Sequence, residues 1–255
     1  MYLAIDVGNT NIHLGLFAQT KSNFPRLIES FTLPVNQKHL SKLFNYINKQ
    51  KPITGIIMSD AYSTTALANN RAIQSLKTNL EKFILLRPDM NCGLKFRYFP
   101  RTSLGTDRLA DCVAAYKIYK RDCLIVDFGT ATTFNIVSKN GYFHGGIIIP
   151  GIKNLIRALP AHLTDKLPIP VTNSSNKTFA CSTQQAVKSG LYQTINGICY
   201  NIKKEMQKKL KTKPYTIATG NGLKLMPGIK NIFDKIDPNL TLKGLAIIYQ
   251  IKYNK

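Results

Sequence analysis

Two segments of this chain combine residue types suited to handling phosphate. Asp6-Val7-Gly8-Asn9-Thr10 and Asp127-Phe128-Gly129-Thr130-Ala131-Thr132 each place a carboxylate, a glycine and hydroxyl or amide side chains in one turn. The two aspartates stand 121 residues apart in a chain of 255, close to half its length. Glycine lets a backbone approach a ligand with no Cβ in the way. The turn amides, with Asn9 and Thr10, then offer donors to phosphate oxygens. A carboxylate would repel phosphate directly, so Asp6 is suited to holding a hydrated Mg²⁺. Asp, Gly, Asn and Thr also favour plain hairpin turns. A simple turn in one half, however, gives no reason for its echo in the other. The repeat therefore points to nucleotide-dependent phosphoryl transfer by two similar lobes facing one cleft. No G-x-x-x-x-G-K-[ST] motif is present, so these turns must bind the phosphates without a Walker lysine.

The elements that position these turns follow from hydrophobic periodicity. Each turn joins two apolar runs, Tyr2 to Ile5 with Ile12 to Phe17, and Leu124 to Val126 with Thr133 to Val137. Helices are predicted at 38–50, 64–80, 109–119, 152–159 and 241–249. A long helix is predicted at 182–210, with Gly190 and Gly197 as candidate break points. Further strands are predicted at 53–58, 83–86, 142–149 and 215–218. Residues 87–104 form a long loop rich in Pro, Asn, Gly and Arg, where binding groups tend to sit. Residues 163–177 read as irregular. Helices alternating with strands make the class α/β. The lobes are predicted as 1–118 and 119–255.

The net charge of +22 raises nucleic acid as a partner. Most of the excess is lysine scattered along the chain. The densest run, Lys203 to Lys213, overlies an apolar stripe of Ile195, Ile198, Ile202, Met206 and Leu210. The simplest reading is the solvated face of an amphipathic helix. The same charge would also attract an anionic substrate. Five cysteines, an odd number with no C-x-x-C pair, suit free thiols in a reducing compartment. No apolar run reaches the length of a membrane span. A cytoplasmic protein is expected.

In order and spacing, DVGNT (6–10), LGTDR (104–108), VDFGTATTF (126–134), GGIIIPG (145–151), Thr183 with Ser189-Gly190, ATGNG (218–222) and LTLKGL (240–245) form a specific set. On these motifs the chain resembles, nearly end to end, the type III pantothenate kinases of the acetate and sugar kinase/Hsc70/actin superfamily. The resemblance implies two ribonuclease H-like (actin-like ATPase) lobes with the active site in the cleft between them. It implies transfer of the γ-phosphoryl of ATP to the 4′-hydroxyl of pantothenate, the first step toward coenzyme A.

The same resemblance implies roles for single residues. ATP and Mg²⁺ would meet Asp6, Val7, Gly8, Asn9, Thr10, Asn11 and Thr130, with Thr132 beside them. A monovalent cation, K⁺ or NH₄⁺, would lie at Asp127. Pantothenate would be held by Tyr98, Gly105, Thr106, Asp107, Arg108 and Thr183, the last contributed by the partner in a homodimer. Asp107 would accept the proton of the substrate alcohol. Each role has a plainer counterpart: Asp107 as cap of a helix starting near Leu109, Thr183 as N-cap of the long helix, Tyr98 as a loop aromatic. Gly220 and Gly222 suit either a nucleotide or a simple helix-start turn.

Three departures from the family pattern stand out. His13 replaces a residue that is often basic and is expected at a cleft edge or partly buried, not on a metal. Asn221 interrupts a glycine pair. Met58 to Tyr62 lacks Val-Pro character. Two other functions fit the sequence less well: a DNA-associated transcriptional accessory protein of the same family, and another small-molecule kinase or ATPase on the same fold.

Overall fold

The computed structural model describes residues 1–18, 24–34, 53–60, 82–164, 171 and 178–253. The helices predicted at 38–50 and 64–80, and much of 163–177, lie outside the described residues. The chain divides into two compact units, Met1–Lys117 with Asn239–Lys255, and Ile118–Pro238.

The first unit contains β1 (Tyr2–Val7), β2 (Asn11–Ala18), β3 (Arg26–Pro34), β4 (Gly55–Asp60), β5 (Lys82–Leu85) and a two-residue strand β6 (Lys95–Phe96). A 3₁₀ turn at Arg101–Ser103 leads into helix α1 (Thr106–Tyr119). Five strands hydrogen-bond in the order β3-β2-β1-β4-β5, with β1 antiparallel to β2 and parallel to β4. Leu3, Ile5, Val7, Ile12, Leu14, Ile56 and Met58 form one buried cluster against this sheet. Strand β3 was not anticipated. A register shift at Leu16/Phe17 breaks its pairing, and its mostly exposed residues lack clean alternation.

The second unit contains β7 (Cys123–Phe128), β8 (Ala131–Val137), β9 (Tyr142–Pro150), α2 (Ile152–Arg157), α3 (Ala161–Thr164), α4 (Thr183–Leu210), β10 (Tyr215–Thr219) and β11 (Lys235–Ile236). Its strands hydrogen-bond in the order β9-β8-β7-β10-β11. This is the strand order of the first unit repeated, with β7 in the place of β1. The two central strands also share one burial pattern, in which only the aspartate is incompletely buried.

Helix α4 runs unbroken through both glycines, because Gly190 and Gly197 face open space and cost the helix only propensity. Leu191, Ile195, Cys199, Ile202 and Met206 enter the core of the unit. Lys204, Lys208 and Lys209 are exposed, as expected of a solvated face, while Lys203 Nζ donates to the Ile232 carbonyl at 3.1 Å.

Helix α5 (Leu240–Tyr253) belongs to the first unit, which corrects the predicted division at 118/119. The physical reason is aromatic and backbone contact. Tyr249 stacks on Tyr2 with centroids 4.2 Å apart, and Tyr2 Oη donates to the Ala246 carbonyl at 3.3 Å. A Cβ on Gly244 would overlap the Ala110 carbonyl oxygen, so only glycine lets α5 approach α1 this closely.

Candidate active site

In the first unit, Asp6 stands near the end of central strand β1. Gly8 N donates to Asn11 O at 3.0 Å, closing a two-residue turn that leaves Asn9 and Thr10 exposed. A Cβ at Gly8 would lie 3.2 Å from that same oxygen, so glycine keeps the turn tight. Val7 is buried in the core of the first unit. Asn11 is partly buried and accepts the closing bond through its backbone.

Asp6 is flanked in register by His13 on β2 and Ser59 on β4. Ser59 Oγ donates to Asp6 Oδ1 at 2.5 Å. His13 is partly buried, and its Nδ1 lies 3.3 Å from Thr32 Oγ1. Burial, then the negative charge of Asp107, push the Asp6 carboxyl up to about 7, against the opposing pull of the Ser59 bond. Asp107 is therefore near enough for its charge to act on Asp6.

Asp107 lies in the first turn of α1, which begins three residues earlier than predicted and draws in Thr106, Asp107 and Arg108. Leu109 N donates to Gly105 O at 3.0 Å, and Asp107 Oδ1 accepts from Arg108 N at 2.8 Å. Asp107 thus satisfies a first-turn amide from inside the helix rather than capping it from outside. A carboxylate there is also favoured by the helix dipole. A Cβ on Gly105 would overlap Asp107 Oδ1, so the glycine makes room for this carboxylate.

Arg108 is 5% exposed, and its guanidinium carbon lies 5.8 Å from the centre of the Tyr98 ring. Thr106 is buried and Tyr98 partly so. The loop carrying Tyr98 is pinned by Arg101. Its Nε and Nη2 donate to the carbonyls of Pro88 and Met90, both at 2.6 Å, while it stacks over Phe96 at 3.9 Å. The first unit therefore brings Asp6 and Asp107 together, with Arg108 and Tyr98 beside the second.

The second unit repeats the turn with one residue fewer. Gly129 N donates to Ala131 O at 3.1 Å, and exposed Thr130 forms the apex. The Thr130 carbonyl accepts from Gly151 N and Asn154 Nδ2, both at 3.0 Å, so the start of α2 is tied to the turn. Asp127 is flanked in register by Thr133 and Thr219. Gly220, at φ +88°, sits where a Cβ would overlap Asp127 Oδ1, and a Cβ on Gly222 would lie 2.6 Å from the Phe128 carbonyl oxygen. These glycines let the turn after β10 close on β7. A 3₁₀ helix starts at Asn221, which fits both readings of these glycines. Thr132 is fully buried opposite the core residue Phe128, and its Oγ1 has no hydrogen-bond partner among the described residues.

Thr183 is the exposed first residue of α4, but Ser182 is its N-cap, accepting from Gln185 N at 3.4 Å. A capping role for Thr183 is thereby removed. Ser59 escaped the sequence reading because a lone serine in an apolar strand carries no local signal. Its counterpart Thr219, at the same place in the repeat, was the available clue.

Among solved structures, a conserved candidate Baf family transcriptional activator from Campylobacter jejuni is 24% identical, covering 99% of this chain and 100% of that one at a TM-score of 0.64. A candidate N-acetylmannosamine kinase from Listeria monocytogenes is 14% identical, covering 98% and 99% at 0.53. These likenesses define the class by fold alone: the two-lobed α/β architecture of the sugar kinases. Sequence defines the family. Residues 2–205 match the type III pantothenate kinase family, and a type III pantothenate kinase from Bacillus cytotoxicus is 32% identical over 260 residues, covering 98% of this chain and 96% of that protein. The chain belongs to the type III pantothenate kinase family.

Proposed function

We propose that this chain is a pantothenate kinase, transferring the γ-phosphoryl of ATP to the 4′-hydroxyl of pantothenate in coenzyme A biosynthesis. Family membership over most of the chain, with LGTDR intact at 104–108, carries the reading. Asp107 accepts the alcohol proton as the bond to phosphorus forms. A carboxylate suits this task because an alcohol becomes acidic only as it attacks. Arg108 binds the carboxylate end of pantothenate through a rigid, permanently charged fork, and Tyr98 packs along its aliphatic part. Gly105 and Thr106 complete that subsite.

Asn9, Thr10, Asn11 and the amides beside Val7 and Gly8 meet the ATP phosphates, as does Thr130. Asp6 holds Mg²⁺ through water. A partly buried carboxylate whose proton affinity is raised by desolvation and a neighbouring charge is one that a cation relieves, and its oxygen donors suit this hard ion. When bound, the metal neutralises charge on the transferring phosphoryl. Asp127, confined by Gly220, is assigned to K⁺ or NH₄⁺, and Thr183 to the pantothenate site of a partner subunit in a homodimer.

The five cysteines are free, and no described helix is long and apolar enough to cross a membrane. A coupled ADP-release assay tests the function. ADP release should require pantothenate and exceed its rate in Na⁺ when K⁺ is supplied. Asp107→Asn should fold yet lose about 10²–10⁴-fold in turnover, as expected for loss of a general base. Release independent of pantothenate would support an ATPase instead.

A further inference from the structure

The geometry points to Ser59 as a positioning residue that holds the Asp6 carboxylate in the orientation needed for Mg·ATP. Ser59 is 0% exposed on β4, opposite Asp6 in the parallel ladder, so both side chains leave the same face of the sheet. Its hydroxyl spends its donor on Asp6 Oδ1. The terminal torsion of an aspartate is broad and roughly two-fold, so an unrestrained carboxylate samples many orientations. The serine bond removes that freedom and leaves Oδ2 as the oxygen to receive a hydrated cation. It also restrains Asp6 against repulsion from Asp107.

The internal repeat supplies an independent observation. In the second unit the strand parallel to the central one again places a buried hydroxyl beside the aspartate. Thr219 is 1% exposed and pairs with Asp127. The hydroxyl recurs although the two turns differ in length and the flanking residues differ in kind, His13 in one unit and Thr133 in the other. The inference rests on the reading of Asp6 as the residue serving the metal–nucleotide complex.

The test compares Ser59→Ala, Ser59→Cys and Ser59→Thr with Asp6→Asn. Binding of a non-hydrolysable ATP analogue is measured by calorimetry with Mg²⁺ and with EDTA, alongside kcat and both KM values. Partners that orient a metal-serving carboxylate are worth about 10- to 100-fold in affinity or activity. Ser59→Ala and Ser59→Cys should weaken Mg-dependent analogue binding by about that factor. Binding in EDTA and KM for pantothenate should stay within about two-fold, the scatter of changes that leave the relevant contact untouched.

Cysteine keeps the buried volume, so its loss of binding cannot be assigned to a cavity. Ser59→Thr, the hydroxyl residue found beside Asp127, should restore binding. Wild-type Mg-dependent binding by both Ala and Cys variants, with Asp6→Asn impaired, would overturn the positioning role alone. Wild-type binding by Asp6→Asn as well would overturn the reading of Asp6 on which it rests.

Discussion

Replacing Asp6 with asparagine should stabilise the metal-free protein at alkaline pH while abolishing its activity. The carboxyl is raised from 3.8 to about 7 in the folded chain. Below pH 3.8 both folded and unfolded chains hold the proton, and nothing is lost. Between there and about 7 the folded chain keeps a proton that the unfolded chain has released. Folding therefore weakens by about 1.4 kcal/mol for each unit of rising pH, and the penalty is constant above 7. Roughly three units set a ceiling of about 4 kcal/mol. Asp6 is only partly buried, and screening by solvent reduces this to about 2 kcal/mol. Asparagine keeps an oxygen to accept from Ser59 and carries no charge to repel Asp107. Urea unfolding of both proteins in EDTA, followed by circular dichroism from pH 4 to 8.5, reads the difference directly. The two should be nearly equal at pH 4 and separate by about 2 kcal/mol at pH 8, with the variant more stable. A difference that stays flat across this range would refute the argument that burial and Asp107 penalise the charge.

Two further predictions concern the scaffold. Gly244→Ala should cost about 2–3 kcal/mol or more in urea unfolding, because its Cβ would overlap the Ala110 carbonyl oxygen and force α5 off α1. Arg101→Ala should free residues 87–104, since it removes two hydrogen bonds to carbonyls and a stack on Phe96. Faster amide exchange there, and a KM for pantothenate raised about 10-fold through Tyr98, are expected from an ordering loss near 1.4 kcal/mol.

The aspartate–glycine turns were legible because their chemistry is local: turn residues must follow one another in the chain, and a repeat half a chain apart shows in the letters. The α/β class and the amphipathic α4 were legible for the same reason, since periodicity is a property of neighbours. Strand β3 was not, as an exposed and irregular strand lacks that period. The start of α1 was also missed. Thr106, Asp107 and Arg108 look like loop residues, and they join the helix only because two of them are buried within the unit.

What the sequence determined by itself was the set of candidate residues, Asp6, Asp107 and Asp127 with the glycines near them, and the family to which the chain belongs. Tertiary structure decided which residues stand beside them. Ser59 lies 53 positions from Asp6 in the chain, and only the parallel pairing of β1 with β4 joins them. Helix α5 closes on α1 because Gly244 meets Ala110, a contact between residues 134 positions apart. Thr132 turned into the core because alternation along β8 sets it with Phe128 and not with Asp127. Local propensity carries no information about such pairings, because they are set by sheet register and by the closeness of packed backbones.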